Sequence, residues 1–321
     1  MVIHLDTELQ ELVERPPLRL STADPNYVGS VAQKGWAAIW RADGDRYIRL
    51  GLPGAYYSPI PPDTDLETAV RRSLERWPGD EECSVEVLNI PPGRYFPRMA
   101  RPHHQHPGDT PTSFGGGGQH AHEMAATNLQ LAMLAERMWS CFQVVDPAEA
   151  NMAAYGTEFR SILILAATEV EAQCKGILKA NDYAGGSRWT TRDYVKLEPA
   201  LRLADYSIGF LEYPWLQPIS PFSGWSVDQP TESLPWYSAY NAVKHDREGN
   251  FPAASLENAL AAVAAVVTIA IAQFGTPFMR GARSWGRLFS STRRPKWTIG
   301  DTHGSFSDHG IEDEPIDYPF S

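Results

Sequence analysis

Apolar positions recur every three or four residues through the second half of the chain, the period of a helix with one buried face. Leu131, Leu134, Met138, Phe142 and Val145 form one stripe, which Asp146-Pro147 ends. A second stripe, Phe159, Ile162, Leu163, Ala166, Val170, Cys174, Ile177 and Leu178, predicts a helix over about 155–180. Asn181-Asp182 and Gly185-Gly186 close it, and a shorter helix is expected over 191–203. The third long stripe repeats Leu256, Leu260, Val263, Val267, Ile271 and Phe274, stopping at Gly275-Thr276-Pro277. Residues 205–235 have no period and are rich in proline and aromatics; a connection of that length is often a lid or an interface.

The first hundred residues read differently. Short β-prone runs at 37–41 and 46–50 flank Asp43-Gly44, a hairpin signal. Thr64-Asp65-Leu66-Glu67 is a capping box, and Leu66, Val70, Leu74 and Trp77 follow at helical spacing. A strand over 84–90 is ended by Pro91-Pro92-Gly93. Trp36, Trp40, Tyr47, Tyr56 and Tyr57 suit either a stacking platform or, more commonly, the core of a small domain. Residues 98–118 are dominated by proline, glycine and small polar side chains and are expected to be a linker. The expected fold class is mainly α: a helical bundle (124–276) preceded by a small α+β domain (1–97) and a His/Gly/Pro linker (98–123). A basic then acidic tail (277–321) would follow.

Composition narrows the function. With 28 basic against 39 acidic residues the net charge is −11, which excludes a general nucleic-acid coat, so any RNA contact is local. Cys83, Cys141 and Cys174 show no CxxC spacing, and two of them lie on apolar stripes, which fits a reduced, cytoplasmic setting. The N-terminus lacks the basic start and apolar run of a secretory signal. The apolar segment 258–274 is short for a membrane span and contains Asn258, Thr268 and Gln273, so a bundle-core helix is expected and no membrane partner. His103, His104, His106, His120 and His122 flank a glycine tract that cannot fix a tetrahedral site. No metal and no cofactor are therefore expected; a metal-binding protein built on these histidines is the weakest alternative.

The densest chemistry lies in 236–251, WYSAYNAVKHDREGNF. On a helix Asn241, Lys244 and His245 stand at i, i+3 and i+4 and share a face. Amide, ammonium and imidazole together suit a phosphate or a polarised hydroxyl; the same residues also suit a polar helix end that caps a bundle. Glu171 and Lys175 make an i, i+4 pair beside the second stripe. Between 280 and 297, Arg280, Arg283, Arg287, Arg293, Arg294 and Lys296 occur without an acid, interleaved with Trp285, Phe289 and Trp297. That composition fits a single-stranded RNA contact, and fits equally a basic arm folded onto the protein's own acidic surface.

Three segments resemble the HEPN family of helical domains over about 124–276. Glu171 to Lys175 is similar to the family's acidic-x3-Lys element, Tyr240 to His245 resembles its Arg-Asn-x3-His signature, and 254–274 takes the place of its closing helix. The resemblance implies an RNA-directed protein of the defence or stress type that pairs two domains as a homodimer through the helical bundle. Its ribonuclease members cleave one phosphodiester with the RNA's own 2′-hydroxyl and no metal. Carried over, His245 is the proton-transfer residue, Asn241 and Glu171 position groups, and Lys175 completes the inner pair. This chain departs from the family where Tyr240 replaces arginine and Gly176 a second inner basic residue. Lys244 or Arg247 would then supply the cation. Lys175, Arg283, Arg287, Arg293, Arg294 and Trp285 are the expected RNA contacts. Family members without the full signature are regarded as binding or assembly domains, so a non-catalytic dimerising scaffold is the alternative to a metal-independent endoribonuclease.

Overall fold

The computed structural model describes residues 11–13, 15, 20–31, 37–51, 57–76, 83–103, 120–186, 188–275, 278, 285–306 and 309–320. The chain divides into two units, and neither is continuous in sequence. Unit 1 comprises Met1–Val13, Gly118–Pro295 and Phe320–Ser321; unit 2 comprises Glu14–Gly117 and Lys296–Pro319.

Unit 2 is built on a five-stranded antiparallel sheet. Its strands are β2 (Tyr27–Val31), β3 (Ala37–Asp43), β4 (Arg46–Arg49), β5 (Tyr57–Pro59) and β6 (Ser84–Val87), in the order β5-β4-β3-β2-β6. The β3–β4 hairpin turns at Gly44, whose φ of +64° is the left-handed region that glycine enters without a Cβ penalty. Alternation along the strands sends Ala38, Trp40 and Tyr47 to one face and Ile39 and Ile48 to the other. The first face packs on helix α1 (Leu66–Leu74) through Leu66, Ala69, Val70 and Leu74. Asp65 is the N-cap of α1, accepting from the Thr68 amide at 2.7 Å, one residue later than the sequence box suggests. The second face is closed by Leu50, Leu88 and Phe306. Trp40 fills the core and donates its indole N–H to Ser30 at 2.8 Å.

The acidic C-terminal stretch is part of this unit. Strand β7 (Arg94–Tyr95) pairs in parallel with β10 (Glu314–Pro315), and Asn89 donates to Asp301 at 2.9 Å. Met99, Ala100 and Arg101, expected in a linker, are buried here, and the Arg101 guanidinium lies 4.1 Å above the Trp297 ring. Residues 104–119 of that linker, with His104 and His106, lie outside the described residues, as do Trp36 and Tyr56. Among the described residues no three His, Cys, Asp or Glu side chains are grouped to hold a metal.

Unit 1 is a helical body with its own sheet. Helices α2 (Ala121–Phe142), α3 (Thr157–Ala180), α6 (Pro235–His245) and α8 (Leu256–Phe274) pack together, with α3 lying along α8. Short helices α4 (Thr191–Tyr194), α5 (Leu197–Leu201) and α7 (Arg247–Asn250) complete the set. Every residue of the expected α3 stripe is buried. Ser255 caps α8 by accepting from the Asn258 amide at 3.2 Å, and Gly275 at φ +78° ends it. Helix α8 is the one described helix long and apolar enough to cross a membrane, and 83% of that window is buried inside the protein.

A three-stranded sheet, β1 (Glu11–Val13), β9 (Phe289–Pro295) and β8 (Ser207–Phe210), packs against α8. β1 runs parallel to β9, with Glu11 opposite Arg293, while β8 runs antiparallel to β9. All four residues of β8 are buried.

The expectation of a mainly α protein is therefore corrected. Among the described residues 45% are helical and 18% are in strands, a mixed α/β architecture in which a five-stranded antiparallel sheet dominates the N-terminal region. Three strands, β8, β9 and β10, lie in segments read as connection and tail. β8 is too short and too uniformly buried to show alternation, and β9 is disguised by Arg293 and Arg294.

Candidate functional site

Helices α3 and α6 and the turn before α4 line an open cavity of about 550 Å³ in unit 1. From α3 come Glu171 and Lys175, adjacent at i, i+4. From α6 come Tyr237, Asn241 and Lys244, at i, i+4 and i+7, so one helix face supplies all three. Pro235 starts that helix at a position where its missing N–H has no role. Trp236, about 100° round the helix from Tyr237, anchors α6 by donating its indole N–H to the Pro221 carbonyl at 2.8 Å. The turn contributes Arg188, Trp189 and Thr190; Tyr194 and Thr231 complete the wall. A capping box between Thr190 and Asp193 fixes the turn where it enters α4.

The cavity is polar and connected. Tyr237 donates its hydroxyl to Glu171 Oε1 at 2.8 Å, and Lys175 Nζ lies 3.6 Å from Glu171 Oε2. Both carboxylate oxygens are thereby engaged. Burial first, then the bond to Glu171, pushes the Tyr237 phenol far above its ordinary value, so it stays a donor. Burial likewise raises the Tyr194 phenol. Lys244 Nζ donates to the Tyr240 hydroxyl at 2.7 Å and sits 4.8 Å from that ring. The Tyr240 bond holds the Lys244 ammonium above its ordinary range, against a smaller opposing effect of burial. Tyr240, which stands where the resembling family has arginine, is 2% exposed and acts as a buried acceptor beneath the lysine.

Among the described lining residues Lys175, Arg188 and Lys244 set three cations against the one carboxylate, Glu171, in a chain whose net charge is −11. Such a site attracts an anion locally although the molecule as a whole repels one. The Trp189 indole N–H is sealed from solvent and has no acceptor among the described residues.

Of the residues singled out from sequence, the cavity brings together Glu171, Lys175, Asn241 and Lys244. The described lining does not include His245 or Arg247. His245 is about 100° round the helix from Lys244 and ends α6, exposed; Arg247 is exposed on α7. Trp285 is 0% exposed and donates its indole N–H to Asn128, so it offers no face to a base. Arg293 donates to Ser220 at 3.0 Å within β9, and Arg294 lies beside it in the same strand. Arg287 is exposed, and Arg283 lies outside the described residues.

Arg188, Trp189, Thr190, Thr191, Tyr194, Thr231 and Tyr237 went unnoticed in the sequence. The capping box of Thr190 and Asp193 was the one local signal, marking a helix start next to an Arg-Trp pair. No family model matches the chain, and no curated protein or solved structure matches it.

Proposed function

We propose that unit 1 is an RNA-directed recognition domain that grips a phosphate group in the cavity between α3 and α6. The observation that carries this reading is the convergence of Lys175, Arg188 and Lys244 on one cavity of an acidic protein. Guanidinium and ammonium groups are the usual partners of phosphate oxygens, and the Arg188 fork can hold two of them at once. The HEPN-like resemblance enters the proposal in its binding form: its inner pair on α3 and its Asn241 on α6 face the same space.

Binding is favoured over cleavage by the protonation states available. Tyr237 and Lys244 are both held protonated, Glu171 has both oxygens engaged, and His245 stands outside the described lining. A group that moves a proton must reach the reacting atom, and no imidazole is among the described residues lining the cavity.

The test is fluorescence anisotropy with mixed-sequence single-stranded RNA at low salt, comparing the native protein with Lys175→Ala, Arg188→Ala and Lys244→Ala. Each variant should bind several-fold more weakly, with a shallower dependence on salt. Equal binding by all four proteins, or none by any, removes the reading. RNA cleavage in EDTA that His245→Ala abolishes would restore the nuclease in place of the binding domain.

A further inference from the structure

We infer that the group recognised is a phosphomonoester borne on a nucleoside, either the terminal nucleotide of an RNA strand or a free mononucleotide, and not an internal phosphodiester. This rests on the phosphate reading above and narrows it. The first argument is charge. The cavity carries a formal balance of +2, from Lys175, Arg188 and Lys244 against Glu171. A phosphomonoester carries close to about −2 at neutral pH and offers three acceptor oxygens, whereas a diester carries one negative charge and would leave a cation unmatched.

The second argument is size and surface. A volume of about 550 Å³ lies within the range of small-ligand sites, about 300–1,000 Å³, and suits one nucleotide rather than a duplex. Trp189 and Tyr194 place aromatic surface in the same wall as the cations. The tyrosine hydroxyl is occupied, donating to the Trp189 carbonyl at 3.2 Å. That aromatic surface is what the base of a nucleotide would lie against. Thr191 and Thr231 share a hydrogen bond of 2.9 Å and leave hydroxyl capacity for a sugar.

The experiment compares one mixed-sequence hexaribonucleotide in four forms: 5′-phosphorylated, 3′-phosphorylated, hydroxyl at both ends, and 5′-phosphate methyl ester. Adenosine monophosphate and inorganic phosphate are titrated separately, all by calorimetry on the full chain. A phosphorylated end should bind about tenfold or more tightly than the hydroxyl form, with the methyl ester close to the hydroxyl form. Arg188→Ala and Lys244→Ala should erase that difference while circular dichroism stays native; Arg188→Lys should restore part of it. RNA binding that ignores the terminal phosphate overturns this inference and leaves RNA recognition standing. Binding of the mononucleotide without binding of any oligonucleotide keeps the monoester and overturns RNA recognition. No binding of any of them overturns both.

Discussion

Two buried amides join the central helices of unit 1, and their energetics can be worked out atom by atom. Gln273 on α8 is 0% exposed and donates Nε2 to Gln173 Oε1 at 2.8 Å, with the Ile269 carbonyl a second acceptor at 3.3 Å. Gln173 on α3 is 2% exposed and donates to Glu169 at 2.9 Å. Replacing Gln273 by leucine keeps the volume but leaves the Gln173 carbonyl facing apolar neighbours. A lost hydrogen bond is worth about 1 kcal/mol, and a buried polar group left unpaired costs about 1–3 kcal/mol. Gln273→Leu should therefore destabilise unit 1 by about 2 kcal/mol, and Gln173→Leu by a similar amount. Changing both removes the two orphaned groups together, so the double variant should lie within about 1 kcal/mol of the native protein. The coupling would then be about 3 kcal/mol or more, well outside the additive range of about 0.5 kcal/mol. Urea denaturation of the four proteins, followed by far-UV circular dichroism, gives all the terms of the cycle. Additive losses would refute the reasoning, because they would mean that neither amide depends on the other for its partner.

Three further outcomes are expected. Tyr240→Phe keeps the ring beneath Lys244 but removes the acceptor of its ammonium, so RNA affinity should fall about two- to tenfold, with unit 1 stability changed by less than about 1 kcal/mol. Since the folded Lys244 value is raised above 10.5, that bond is intact at neutral pH and is lost only as pH rises through the folded value; affinity equal to the native protein's at pH 7 would dismiss it. Asp65→Ala removes the cap of α1 and should cost unit 2 about 1 kcal/mol in thermal denaturation. The Thr68 amide lowers the Asp65 carboxyl below 3.8, so the stabilisation is present above that value and fades as pH falls through the folded one; a native–variant difference that grows in acid contradicts the cap. Gly93→Ala should destabilise unit 2 by more than about 1 kcal/mol, because φ is +75° and a Cβ would press on Ile311 and the Glu312 carbonyl. An unchanged melting temperature would show that the 311–312 segment yields at no cost.

The long helices were legible because their information is local. A stripe such as Phe159 to Leu178 repeats within one turn, and any window across it reveals the buried side. The β3–β4 hairpin was legible for the same reason, its turn residues lying between the strands they join. What escaped was carried by distant partners. Strand β9 is the middle of a sheet whose neighbours are Glu11–Val13 and Ser207–Phe210, and nothing near residue 290 announces either. The same holds for the cavity. Glu171, Lys175, Asn241 and Lys244 could be singled out by motif spacing, whereas Arg188 and Trp189 reach the same space only because a turn brings them there. Trp285 is buried, and an aromatic among arginines fits an RNA contact and a core anchor equally well until its surroundings are known.

Pairing of Glu11 with Arg293 also has a consequence for biosynthesis. On the ribosome, β1 is made long before the strand that will flank it, and β7 waits in the same way for Glu314 and Pro315. Such distant closures are entropically slow, and an unpaired strand edge is prone to stray association while it waits. Stopping translation just before residue 289 would leave two unfinished sheets in one nascent polypeptide.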